Sequence, residues 1–214
     1  MAGYLERIEK AAQEYMQGSK PAHDFDHVKR VLRLVERIGR AEKADLEILR
    51  AAALLHDIGR MGEEKTGECH AEKGALLARK ILMDCGFPKS KIEAVLHCIE
   101  SHRFRGNLKP RSLEAKILYD ADKLDAIGAI GIARAYSYGG ERGQRLYTDP
   151  SKANKFELKK QIDLEHTPVV EFTVKLSKIK AHLQTKTARE IARGRHRFTV
   201  KFYERLRKEI EGKL

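Results

Sequence analysis

Three cysteines in 214 residues, none of them in a CxxC pair, leave no material for a disulfide framework or a zinc ribbon. Cys69, Cys85 and Cys98 read instead as buried or half-buried thiols of a reducing compartment. No apolar run approaches the roughly 20 residues that span a bilayer, and the opening MAGYLERIEK lacks the apolar stretch of a signal peptide. A cytoplasmic protein without a membrane partner is expected. Tryptophan is absent, asparagine occurs twice and glutamine five times, while charge is abundant, a balance typical of hot-living sources. Internal repeats and low-complexity tracts are missing too.

What is present suits a globular chain: 42% hydrophobic and 35% charged residues, at a length that one domain with a substantial core accounts for. The formal charge is +12, and residues 175–214 alone hold 13 Lys or Arg against 4 Asp or Glu. Such a basic end fits nucleic acid, or draws anionic substrates by its field, or is simply a solvated helix face. Phe198, Phe202 and Tyr203 fall at helical spacing with Leu206 and Ile210, which reads as a core stripe and not a base-stacking platform.

Nearly every periodic segment fits a helix, and no alternating runs are joined by a hairpin turn, so an all-α fold is expected. The pattern predicts helices over about residues 2–17, from Asp24 through Ile38, over about 44–57 with Gly59 as the stop, and from His70 to Gly86. Pro88 opens another, residues 111–137 read as one long or broken helix, and the last spans about 187–211. TPVVEFTVKL is rich in β-formers, yet its setting makes it helix. The glycine-rich stretch of about residues 139–155 reads as a loop.

Within this frame, AAALLHDIGR at 51–60 stands out, because a helix apolar on every face is buried and the polar groups at its end need partners. His56 and Asp57 are those groups. On a helical wheel His27 lies at the rim of the face of Val31 and Leu34, and His102 prolongs the stripe of Val95 and Ile99, whereas His97 points away from it. Asp122 and Asp125 both flank the stripe of Ile117, Leu118, Ala121 and Leu124, and periodicity alone slightly favours Asp125 as the inward one. A buried carboxylate costs several kcal/mol unless neutralised, so one of the two is expected to meet a cation. His70 opens its helix, an ordinary place for a ligand at a loop edge.

The order of His27 in HDFDHVKRV, His56 and Asp57 in HDIGR, and Asp122 in DADKLDAIGAIGIAR resembles the HD superfamily of metal-dependent phosphohydrolases, in particular its small stand-alone members. The likeness covers about residues 20–136, and weakly TARE at 187–190. It implies a helical bundle formed as a single HD-type domain over 1–214, its core at about 20–136 and a helical elaboration at about 156–214. It also implies a divalent metal on His27, His56, Asp57 and Asp122, which leaves Asp125 as a neighbour. His70 and His102 match positions that hold a second ion in some relatives, or that face substrate; one ion is the expectation, with a second, bridged through Asp57, as the alternative.

A nitrogen and oxygen donor set suits Mn²⁺, Fe²⁺, Co²⁺, Ni²⁺ or Zn²⁺, with Mg²⁺ also open, more than Ca²⁺. Hydrolysis of a phosphoester or phosphoanhydride also calls for cations around the growing charge. Arg30, Arg60, Lys73, Arg103 and Lys123 are the candidates; Lys123, beside Asp122, is set with His56 and Asp57 as catalytic, and Arg60, Lys73 and Arg103 as phosphate ligands. His23 and Asp24 read as supports of the ligands, or Asp24 as a helix N-cap. The favoured activity is a nucleoside triphosphate pyrophosphohydrolase with a small anionic nucleotide as substrate. Alternatives are a 5'-nucleotidase, a cyclic-nucleotide phosphodiesterase, and, in another class, a nucleic-acid-binding module that uses the basic C-terminal helix.

Overall fold

The structure, a computed structural model, describes residues 2–60, 70–103, 108–148 and 166–214, and among these it is helical without a strand. The chain forms two compact units, Met1–Asp122 and Lys123–Leu214. Cys69 and positions 149–155 of the expected loop lie outside the described residues, and the first three positions of that loop, 139–141, are helical instead.

In the first unit, α1 is Ala2–Tyr15, α2 Phe25–Glu42, α3 Leu46–Leu55, α4 His70–Asp84, α5 Lys89–Ser101 and α6 Leu113–Leu124, the last crossing the unit boundary. Sequence explains why α3 is the hub. Residues 51–55 are all buried, and α3 packs against α1, α2 and α5, so the segment apolar on every face has a neighbour on every face. Asp45 starts it by accepting the Glu47 and Ile48 N–H groups. Helix α4 lies against α5 and α1, and the Arg7 guanidinium fastens α1 to the Cys85 carbonyl at 2.6 Å. Cys85 and Cys98 are buried free thiols. Burial pushes the Cys98 thiol up to about 12, so it is a core residue and not a nucleophile.

In the second unit, α7 is Gly128–Glu141, α8 Pro168–Val174, α9 Ile179–His182 and α10 Lys186–Ile210. The stretch from 111 to 137 is thus a broken helix, interrupted after Leu124, and Gly128 restarts it at φ +83°, a value that side-chain-bearing residues avoid. TPVVEFTVKL is helical from Pro168, as its setting suggested. Ile132, Val169 and Tyr203 form a core with Tyr136, Phe172, Phe202 and Leu206 around it. The expected stripe of α10 is displaced, however: Phe198 is 52% and Ile210 38% exposed, because Ala188, Ala192, Thr199 and Tyr203 set the buried face. Thr199 belongs there because its Oγ1 accepts the Gly128 N–H at 2.7 Å.

Candidate metal centre

Each of the four clustered histidines is delivered by a helix end. His27 is in the first turn of α2, where its backbone N–H donates to the Asp24 carboxylate at 3.1 Å, so Asp24 caps the helix that presents it. His56 and His102 are the C-caps of α3 and α5. Their Nδ1 atoms lie 2.8 Å from the Ala53 carbonyl and 2.5 Å from the Ile99 carbonyl, each three residues back. A carbonyl oxygen only accepts, so both Nδ1 atoms carry the proton and a neutral ring keeps a bare lone pair on Nε2. The helix thereby also loses one of its orphan C-terminal carbonyls. His70 opens α4 and is brought in by Gly59, at which an added Cβ would fall 2.3 Å from the His70 carbonyl oxygen. Helix α3 ends before Gly59, which has no left-handed φ: its use is close approach, and not the helix stop read from the sequence.

These rings meet in two pairs. His27 Nε2 and His56 Nε2 are 3.3 Å apart, as are His70 Nε2 and His102 Nε2. Asp57 stands between the pairs. Its Oδ2 is 3.7 Å from His27 Nε2 and 3.8 Å from His56 Nε2, and its Oδ1 is 3.7 Å from His70 Nε2 and 3.6 Å from His102 Nε2. Asp122 adds Oδ1 at 3.4 Å from His27 Nε2. All but Asp122, 15% exposed, are buried.

The donor set fits a divalent metal. Two ligands held on one ion at about 2.1 Å stand about 3.0–3.4 Å apart, near the separation within each histidine pair. Two nitrogen lone pairs at that separation are reconciled by a shared proton or by a shared cation. Burial works against a proton: it pushes His56 down to about 4, against the pull of Asp57, and pushes His70, with Arg60 adding to the effect, down to about 2. Burial also opposes the Asp57 charge, yet Arg60 and the surrounding histidines hold its carboxyl well below the usual range. Neutral imidazoles around an ionised carboxylate are what a metal ion binds. Among the described residues two groups are able to hold one: His27 with His56 and Asp57, and Asp57 with His70 and His102.

The remaining candidates fall as follows. Arg60 makes a two-pronged bond to Asp57, Nε to Oδ2 at 2.9 Å and NH2 to Oδ1 at 3.1 Å. Lys73, one turn along α4 from His70, Arg103, next to His102, and Arg30 on α2 are all half-buried. Lys123 is only 6% exposed and follows Asp122 in α6. Asp125 is fully buried and meets a cation of its own, the Arg134 guanidinium at 2.9 Å. His23 stands edge-on to His27, with ring centres 6.3 Å apart. His97 accepts the Arg111 N–H at 3.1 Å, apart from the cluster. Asp120, fully buried in α6, is one carboxylate that the helical wheel did not single out.

Residues 24–127, which hold all six clustered side chains, match the model of the HD domain. Over 97% of its length the chain is also 36% identical to the uncharacterized protein YpgQ of Bacillus subtilis, covering 94% of that protein. The chain belongs to the HD family and, like the family, is a metal-dependent phosphohydrolase in its general class. It is similar throughout to the crystal structure of YpgQ in complex with ADP, with 31% identity and a TM-score of 0.74 over 96% of this chain and 94% of that one. A predicted HD-superfamily hydrolase from an uncultured Thermotogales bacterium is 35% identical, with a TM-score of 0.67 over 96% of this chain and 92% of that one. Among the described residues no helix is long and apolar enough to cross a membrane.

Proposed function

We propose that the chain hydrolyses a nucleotide, nucleoside triphosphates foremost, releasing pyrophosphate and the monophosphate, at a centre of two divalent ions that share Asp57. The observation that carries the reading is the division of one buried carboxylate between two histidine pairs, 3.6–3.8 Å from each of four Nε2 atoms. His27, His56, Asp57 and Asp122 hold one ion in this reading, and His70, His102 and Asp57 the other. When bound, such ions activate water and polarise a phosphoryl group.

The protein's own part is to fix and to neutralise. His56 and His102 are held in one tautomer by Ala53 and Ile99, so their lone pairs are aimed without a search. Lys73 and Arg103 are the cations nearest in chain to His70 and His102, and in this reading they take up charge on the substrate's phosphates. Lys123 is assigned the same task from beside Asp122. Support for a nucleotide comes from the ADP bound in the YpgQ crystal.

The test is a panel of nucleoside mono-, di- and triphosphates and cyclic nucleotides with Mn²⁺ or Co²⁺, and identification of every product. Pyrophosphate with a monophosphate is expected. Inorganic phosphate from monophosphates would make the chain a nucleotidase, and a ring-opened product a cyclic phosphodiesterase. No turnover with metal bound would defeat the nucleotide reading, and salt-sensitive RNA or DNA binding that survives His56→Ala would then move weight to the basic helix.

A further inference from the structure

We propose that Arg60 is a positioning residue that makes Asp57 a shared ligand: its guanidinium fork sets the plane of the carboxylate so that one oxygen faces each histidine pair. The inference rests on the two-ion reading and says what enforces it.

An aspartate carboxyl turns easily about its last bond, in a broad, two-fold well. Left alone between two sites, Asp57 would rotate to give both oxygens to one ion and none to the other. Three observations show what prevents this. The fork spans both oxygens, Nε to Oδ2 at 2.9 Å and NH2 to Oδ1 at 3.1 Å, and a planar guanidinium held at two points fixes the plane of its acceptor. The four distances from Asp57 to the rings then differ by only 0.2 Å, from 3.6 to 3.8 Å, as a centred carboxylate requires. Finally, the lone pairs suffice: a carboxylate offers about four acceptor sites, two go to Arg60, and one on each oxygen is left for the ion beside each histidine pair. Arg60 and two ions therefore do not compete for Asp57.

Local sequence puts the fork in place. The Arg60 N–H donates to the Asp57 carbonyl at 3.0 Å, a turn that sets both side chains on one side. Ile58 anchors that turn in the core, and Gly59 allows it to touch the start of α4. HDIGR thus reads as ligand, shared ligand, anchor, close approach and positioning fork. Lysine has a point charge and cannot grip two oxygens in one plane.

The experiment compares wild type, Arg60→Lys and Arg60→Ala, with folding checked by circular dichroism. Bound Mn²⁺ per chain is counted after equilibrium dialysis, and the Mn²⁺ electron paramagnetic resonance spectrum distinguishes a coupled pair from single ions. Wild type is expected to hold two coupled ions. Both variants should hold one uncoupled ion, with affinity for the second weakened at least about tenfold, as for other residues that orient metal ligands. A coupled pair retained in Arg60→Lys would overturn the inference, since charge alone would then suffice, while leaving the two-ion reading intact. A single ion in wild type would overturn that reading and the inference with it. If Arg60→Ala fails to fold, Arg60→Lys decides alone.

Discussion

A Cβ on Gly59 would lie 2.3 Å from the carbonyl oxygen of His70 and 2.7 Å from the nitrogen of Gly74. Backbone meets backbone here, so no side chain can swing aside to make room. Gly59→Ala must push the Asp57 turn away from α4. We expect a loss of about 1–3 kcal/mol in the metal-free protein. Binding of the ion assigned to His70 and His102 should also weaken more than that assigned to His27 and His56. Denaturant unfolding and a Mn²⁺ titration check both; equal effects on the two ions would mean that the contact does not place His70.

Removing a ligand of one ion only is the converse test. His102→Ala and His70→Ala should lower the metal content from two ions per chain towards one, whereas Asp57→Ala, which takes a ligand from both groups, should bring it close to zero. Elemental analysis of the dialysed proteins reads this directly. Identical content in all three variants would mean that Asp57 is not shared.

Asp122 and Asp125 should separate cleanly. Asp122 faces His27 at 3.4 Å, and its replacement by alanine is expected to reduce bound metal and hydrolysis with little change in folding stability. Asp125 is paired with Arg134, whose side chain is 13% exposed. Asp125→Ala removes the carboxylate from a largely buried guanidinium that keeps its bond to the backbone carbonyl of residue 125 at 3.2 Å, and should cost about 1.5–3 kcal/mol of stability while metal stays bound. Metal loss in Asp125→Ala, measured below its unfolding transition, would reverse the assignment.

The contrast shows how far the sequence could be read. Apolar periodicity located α2 to α5 and marked His27 and His102 as inward-facing, since these follow from the 3.6-residue repeat. It slightly favoured Asp125 over Asp122 as the inward one, and Asp125 is the more buried of the two, yet the cation that it meets is an arginine nine residues on, while Asp122 is the one near a histidine. The wheel also missed the buried Asp120. Pattern reading made Gly59 a helix stop because glycine has two uses, and only the position of α4, distant in the fold before it is known, tells close approach from left-handed backbone. Arg60 as a fork on Asp57 was hidden for a similar reason: an arginine three residues after an aspartate is common on any helix or turn, and its geometry is not written in the spacing. In α10 the aromatic residues suggested a stripe through Phe198 and Ile210, yet small residues, Ala188, Ala192 and Thr199, line the buried face.

The imidazoles give the metal-free protein a pH dependence whose sign is fixed. Burial lowers His56 from its ordinary 6.5 to about 4, and His70 to about 2. Below pH 6.5 the unfolded chain therefore takes up protons that the folded chain refuses. Stability contributed by these rings is full above pH 6.5 and falls as pH drops, through about pH 4 for His56 and lower still for His70. Each ring adds up to about 1.4 kcal/mol per pH unit to that slope. Asp57, with its carboxyl held low, adds its own loss only below its ordinary 3.8, outside this window. Urea unfolding of chelator-treated protein at several pH values between 6.5 and 4 measures the slope, and His56→Gln should reduce it by the share of one ring. Saturating metal should hold the rings unprotonated to lower pH, because an ion competes for the same lone pairs, and the stability loss should then begin later on acidification. A metal-free profile that is flat across the window, or one unchanged by His56→Gln, would mean that His56 is not held neutral by its burial.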